Sequence, residues 1–206
     1  MERRLLQPEQ IIVPGEYELG NESILKIYFR VFDRGHGGDL PPVIVTTAGS
    51  FERLQDRLEE GYKMWEDQKP EIVAQRREDY GALFEVLKQH PYLLIDGNHK
   101  TAAATLTHNP IPALELQRDE DFEEIERMVE KGELFDFKRP ERSLDKLRDS
   151  FVAHCLTLGD IAARYGLLSS TSPKVRYTKT IRERIDELTS NGDLPKYMKE
   201  RYHRGK

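Results

Sequence analysis

The chain has 206 residues and a mass of 24.0 kDa, which suits one compact domain or a domain with a small appendage. A third of the residues are charged (33%), and the mean hydropathy is -0.69. No apolar run approaches the ~20 residues that a membrane span needs, and a single cysteine, Cys155, excludes an internal disulfide and a cysteine-built zinc site.

Taken in chain order, Ile11-Ile12-Val13 is a short β-branched run closed by Pro14-Gly15, a strand running into a turn. Asn21 can cap a helix from Glu22 to about Phe32, with Ile24, Leu25, Tyr28, Phe29 and Phe32 at helical spacing. Residues 33–39 hold three glycines and read as a loop, and Pro42 to Thr47 is the second expected strand. Residues 51–90 are helical and strongly charged, with a break at Pro70. Tyr92-Leu93-Leu94-Ile95 is a third strand that runs straight into Asp96-Gly97-Asn98-His99-Lys100, and the stretch from Thr101 to Leu106 continues as helix. Asn109-Pro110 ends that helix, and Ile111 to Leu116 returns as a fourth strand. An acidic helix is expected from Asp119 to Lys131, ending at Gly132, followed by an irregular stretch from Leu134 to Pro140. Three further helices are expected, at Ser143–Leu156, Leu158–Tyr165 and Pro173–Leu188, and the basic tail from Lys196 to Lys206 is expected to fray. The pattern predicts a mixed α/β fold. Met1-Glu2-Arg3-Arg4-Leu5 carries no apolar stretch, which predicts no secretory leader and a cytoplasmic location.

The most informative segment is Leu93 to Ala104. A buried strand ends at a glycine able to take positive φ, and a helix of small residues follows at once. The first amides of such a helix have no intrahelical partner and, together with the helix dipole, favour an anion or phosphate. Lys100 adds a charge, His99 a donor and Thr101 a hydroxyl, while Ala102, Ala103 and Ala104 let the helix lie close to the sheet. The spacing matches neither a Walker A loop nor a dinucleotide fingerprint. Asp96, at the strand end, could ligate Mg²⁺ together with phosphates or simply cap the helix.

These residues resemble the ParB/sulfiredoxin superfamily. The order of parts from about Leu5 to Leu116 is similar: an opening Leu6-Gln7-Pro8-Glu9-Gln10-Ile11 segment, a helix, a Pro-Val-Ile-Val strand, then strand, Asp-Gly-x-His-basic turn, helix and Ile-Pro-x-Leu. Residues 48–90 then read as a helical insertion. The resemblance implies a small-sheet domain over residues 1–137, with residues 138–206 as a basic helical extension. It also implies that Gly97, Asn98, His99, Lys100 and Thr101 bind nucleotide phosphates. Sulfiredoxins place a reactive cysteine where this chain has Asn98, and chromosome-partition ParB proteins, which bind CTP, use a Gly-Glu-Arg-Arg type of turn. The Asp-Gly-x-His-basic form resembles instead the free serine kinases of the same fold, which carry a glutamate after the first strand. Glu16 and Glu18 stand there, Glu16 at the turn itself. It is the preferred proton acceptor, with His99 as the other catalytic candidate. The resemblance implies phosphoryl transfer from ADP or ATP, with Mg²⁺, to a small hydroxyl compound. A second similarity to these kinases covers Val129 to Arg139 and implies that Lys138 and Arg139 contact substrate or phosphate; Pro140 and Glu141 replace the threonine and histidine that follow in the kinases.

Charge is unevenly divided. Residues 138–206 carry 16 Lys and Arg against 9 Asp and Glu, a net of +7, while residues 1–137 carry 16 against 28, a net of -12. Leu158 to Leu167 resembles the first helix and turn of a helix-turn-helix, which would make 173–182 a basic recognition helix with Lys174, Arg176, Lys179 and Arg182 facing DNA. A DNA-binding protein whose turn senses nucleotide is therefore the alternative to the enzyme, and an ordinary helical subdomain is the alternative to both for the carboxy-terminal third.

Overall fold

A computed structural model describes residues 1–14, 19–47, 49, 51–63, 66–135, 137, 142–167 and 178–205. Among these residues the fold is mixed α/β, with eight α-helices and one six-stranded mixed sheet. The strands are β1 (Glu2–Leu6), β2 (Ile11–Pro14), β3 (Val43–Thr47), β4 (Tyr92–Asp96), β5 (Ile111–Leu116) and β6 (Thr178–Thr180), in the spatial order β1-β5-β3-β4-β2-β6. The helices are α1 (Glu22–Asp33), α2 (Phe51–Lys63), α3 (Pro70–Gln89), α4 (Asn98–Leu106), α5 (Asp121–Glu130), α6 (Leu144–Arg164), α7 (Ile181–Asn191) and α8 (Lys196–Arg204).

Both faces of the sheet are covered, so the central strands read as continuous apolar runs and split by alternation. Ile11, Val13, Val43, Val45, Leu94, Ile111 and Ala113 face one core, which α1, α4, α7 and α8 close. Ile12, Ile44, Leu93, Ile95, Leu114 and Leu116 face the other, closed mainly by α3, α5 and α6. A one-residue slip in any of these strands would exchange its two faces, and only a sheet buried on both sides tolerates apolar residues at every position.

The four expected strands are present, and the Asn21 side chain caps α1 by accepting the Ile24 amide at 3.1 Å. The break at Pro70 is also real: proline opens α3 after α2 has ended. Two edge strands carry no apolar alternation and escaped the sequence reading. Glu2 to Leu6 pairs antiparallel with β5, and Thr178 to Thr180 pairs antiparallel with β2.

The carboxy-terminal third differs most from expectation. The helices expected at 143–156 and 158–165 are one continuous helix, α6, in which Thr157 to Gly159 continue the helix and Gly159 is buried. The expected recognition helix does not run through 178–180. That stretch is strand β6, and α7 starts at Ile181 on a capping box in which Thr180 and Glu183 satisfy each other's amides (3.2 and 2.8 Å). The tail does not fray. Helix α8 packs on α4, with Met198 and Tyr202 fully buried. Residues 178–204 are thus part of the same sheet and core as the amino-terminal half, rather than an extension appended to it.

Candidate functional site

The topology concentrates several chain ends at one edge of the sheet. β2 and β4 are parallel neighbours and end on the same side, while β3 is antiparallel to β4 and so begins there. At the end of β4 the chain must enter α4 without a connecting loop. Gly97 does this at φ 114° and ψ 32°, a left-handed conformation. The position is doubly restricted, because a Cβ there would lie 2.6 Å from Val43 Cγ1. The Thr101 amide makes the first intrahelical bond, to the Gly97 carbonyl at 3.0 Å, so Asn98, His99 and Lys100 form the first turn, and the cap position is a glycine with no side chain to offer. Behind this turn Ala102, Ala103 and Ala104 are completely buried.

The turn borders a cleft of about 490 Å³. Asp96, Gly97, Asn98, His99 and Lys100 all line it, as do Gly20, Asn21, Ile24 and Tyr28 from the start of α1. Thr101 does not. Its side chain is buried, and its hydroxyl donates back to the Gly97 and Asn98 carbonyls at 3.1 and 2.9 Å. This local back-bonding satisfies the hydroxyl within its own helix, so Thr101 supports the turn rather than offering a donor to a ligand.

Lys100 is mostly buried, and its ammonium is held by two carbonyls, Pro41 O at 2.8 Å and Pro42 O at 2.9 Å. An ammonium has three donors, which leaves one for a ligand. Burial pulls its pKa from 10.5 down to about 8, against the opposing pull of the Asp96 carboxylate. Lys100 therefore ties the entrance of β3 to α4 as well as supplying charge. His99 is half-buried, and burial lowers its pKa, which favours the neutral ring; Nε2 accepts the Asn21 amide at 3.4 Å. Burial and the charge of Asp96 raise the pKa of the Tyr28 hydroxyl, so it keeps its proton at neutral pH. The fixed side-chain charges of the cleft nearly cancel, and an anion there would rely on amides and the helix dipole.

Glu16, Lys138, Arg139, Lys174 and Arg176 lie outside the described residues. The two described members of the expected DNA-facing set are committed elsewhere. Lys179 pairs with Glu187 at 2.7 Å, while Arg182 pairs with Glu9 at 2.7 Å and also donates to the Tyr202 hydroxyl at 3.2 Å. Among the described residues no group of three His, Cys, Asp or Glu could hold a metal ion, and Asp96 is the only carboxylate among the described residues lining the cleft. Cys155 is buried, and burial pushes its thiol up to about 11.

The sequence reading missed the apolar lining. Ile24 and Tyr28 share the helical spacing of Leu25, Phe29 and Phe32, yet they flank these buried residues of α1. A stripe wider than the core contact needs was the available signal. Phe135 falls within the Val129–Arg139 segment that resembles the serine kinases, but that resemblance singled out only Lys138 and Arg139. Comparison of the chain with family models, with curated proteins and with solved structures finds no match in any of the three.

Proposed function

We propose that the chain is a ParB/sulfiredoxin-like nucleotide-binding protein and a phosphotransferase of the free serine kinase type, moving a phosphoryl group from ADP or ATP to a small hydroxyl compound. The observation that carries this reading is the joining of five of the six expected turn residues, Asp96 to Lys100, along one cleft at a helix start whose cap residue is glycine. A cleft of this volume falls within the range of small-molecule sites.

In this reading the first-turn amides of α4 and the remaining Lys100 donor hold phosphate oxygens, with Tyr28 as a neutral hydroxyl donor nearby. The acceptor's oxygen forms a bond to the terminal phosphorus, the bond from that phosphorus to the bridging oxygen breaks, and the acceptor's proton passes to Glu16. AMP or ADP leaves with the bridging oxygen. The assignment of Glu16 rests on chain position. β2 ends beside β4 at this edge, and Gly20 and Asn21, a few residues further along the chain, line the cleft. The exposed Asp96 carboxylate suits a Mg²⁺ that takes its other ligands from phosphate and water, and such an ion would supply the positive charge that the cleft side chains lack. The same reading draws on the cytoplasmic nucleotide pool and places the chain there; no helix among the described residues is long and apolar enough to cross a membrane.

The test is calorimetry with Mg-ADP and Mg-ATP, followed by nucleotide consumption in the presence of L-serine and a panel of small hydroxyl compounds. Glu16→Gln should leave nucleotide affinity within about twofold and slow turnover by about 100-fold or more. Absence of binding by both nucleotides would overturn the reading, and parental turnover in the variant would remove Glu16 as the base.

A further inference from the structure

Helix α5 ends in a Schellman turn. The Gly132 amide donates to the Val129 carbonyl at 3.0 Å and the Glu133 amide to the Met128 carbonyl at 2.8 Å, with Gly132 at φ 72°. This closure fixes the direction in which the next residues leave. Leu134 enters the second core at 4% exposure, and Phe137 packs against that core with its ring 6.3 Å from Phe122. Between these two anchors Phe135 is 65% exposed, and it lines the same cleft as the Asp96–Lys100 turn. The chain thus spends three positions on holding one large aromatic ring out of the core, beside a phosphate-type turn. An exposed phenylalanine in the wall of a cleft offers a ring face on which a flat partner can stack.

We propose that Phe135 is the stacking platform for the base of the nucleotide, resting on the nucleotide reading above, and that the site accepts different bases. The other apolar lining residues, Ile24, Pro42, Ile44, Ile95 and Leu134, offer van der Waals surface to a planar ring. None of these side chains can read the hydrogen-bonding edge of a base. Of the polar side chains among the described lining residues, Asp96, Asn98, His99 and Lys100 cluster at the turn assigned to phosphate, the Asn21 carboxamide oxygen is taken up capping α1, and the Tyr28 hydroxyl is assigned above to the phosphate end. Recognition by a ring face is tolerant because every base presents one.

The experiment compares Mg-ATP, Mg-GTP and Mg-tripolyphosphate by calorimetry with the parental chain and with Phe135→Ala and Phe135→Trp. Mg-ATP should bind about tenfold or more tighter than tripolyphosphate, with ATP and GTP within about threefold of each other. Phe135→Ala should remove that advantage and leave tripolyphosphate affinity within about twofold, whereas Phe135→Trp should keep or increase it. If tripolyphosphate binds and ATP is no tighter, the base platform is overturned while the phosphate site stands. If Phe135→Ala leaves ATP affinity unchanged, or weakens both ligands equally, Phe135 is not the platform. Strong discrimination between ATP and GTP overturns the claim of tolerance. If no ligand binds, this inference and the nucleotide reading fall together.

Discussion

Gly97 and Lys100 show how much of the site rests on single residues. Substituting Gly97 with Ala forces a side chain into a left-handed backbone and a methyl group against Val43, so the expected loss is about 2–4 kcal/mol, strain and clash combined, with a matching fall in Tm. Replacing Val43 with Ala in the same chain should make the Gly97→Ala substitution less costly than it is alone, which a double-mutant cycle in denaturant would measure. At Lys100 the folded pKa lies below the ordinary one, so between pH 8 and 10.5 the unfolded chain holds the extra proton and stability climbs as pH rises. A neutral amine still has two N–H groups, enough for both proline carbonyls. The third donor and the charge are lost together, so polyphosphate affinity should fall as pH rises through about 8 while the fold gains. Lys100→Met should flatten both trends; equal pH dependence in the variant and the parent would assign them to other groups.

At the level of elements, the parts of the fold legible in the sequence were those with strong periodicity. The triplets Ile11-Ile12-Val13 and Val43-Ile44-Val45 are apolar on both faces, and the structure buries both faces. The turn at Asp96–Lys100 was legible because glycine, polar residues and a run of alanines follow a buried strand without a break. Glu2–Leu6 and Thr178–Thr180 were not, because an edge strand needs partners on one side only and its composition carries little pattern. Thr180-Ile181-Arg182-Glu183 does contain a capping signature, which would have placed the start of α7 correctly, but a longer basic stripe from Lys174 was read as one helix. Burial of α8 depends on partners distant in sequence. The His108 ring stacks on Tyr202 at 5.2 Å, its Nε2 lies 2.7 Å from the Tyr202 carbonyl oxygen, and the Tyr202 hydroxyl donates to Asp186 at 2.8 Å. Tyr202→Ala should cost about 3–5 kcal/mol and Tyr202→Phe about 1–2 kcal/mol, measured by denaturant unfolding; a cost near zero for the alanine variant would mean that α8 is not part of the cooperative core.

Over the whole molecule, the acidic first two thirds and the basic last third divide the chain by charge but not by structure. Ion pairs bridge the two, such as Arg182 with Glu9 and Arg201 with Asp33 at 2.6 Å, both partly exposed and individually modest in energy. The larger connection is apolar: Ile181, Ile185, Leu188, Leu194, Met198 and Tyr202 complete the core under α4. A fragment of residues 1–137 should therefore lack a cooperative unfolding transition, while the full chain unfolds in one step, a difference that calorimetry or far-UV dichroism would record. A fragment that melts sharply would restore the two-part division.

The pairing of β6 with β2 has a further consequence. The segments that meet there lie far apart in sequence, and β2 is synthesised well before its partner. Until residues 178–204 are added, the nascent polypeptide presents Ile12 and Val13 on an open sheet margin and the alanine face of the Asn98 helix without its cover. Such an intermediate invites a chaperone or premature association.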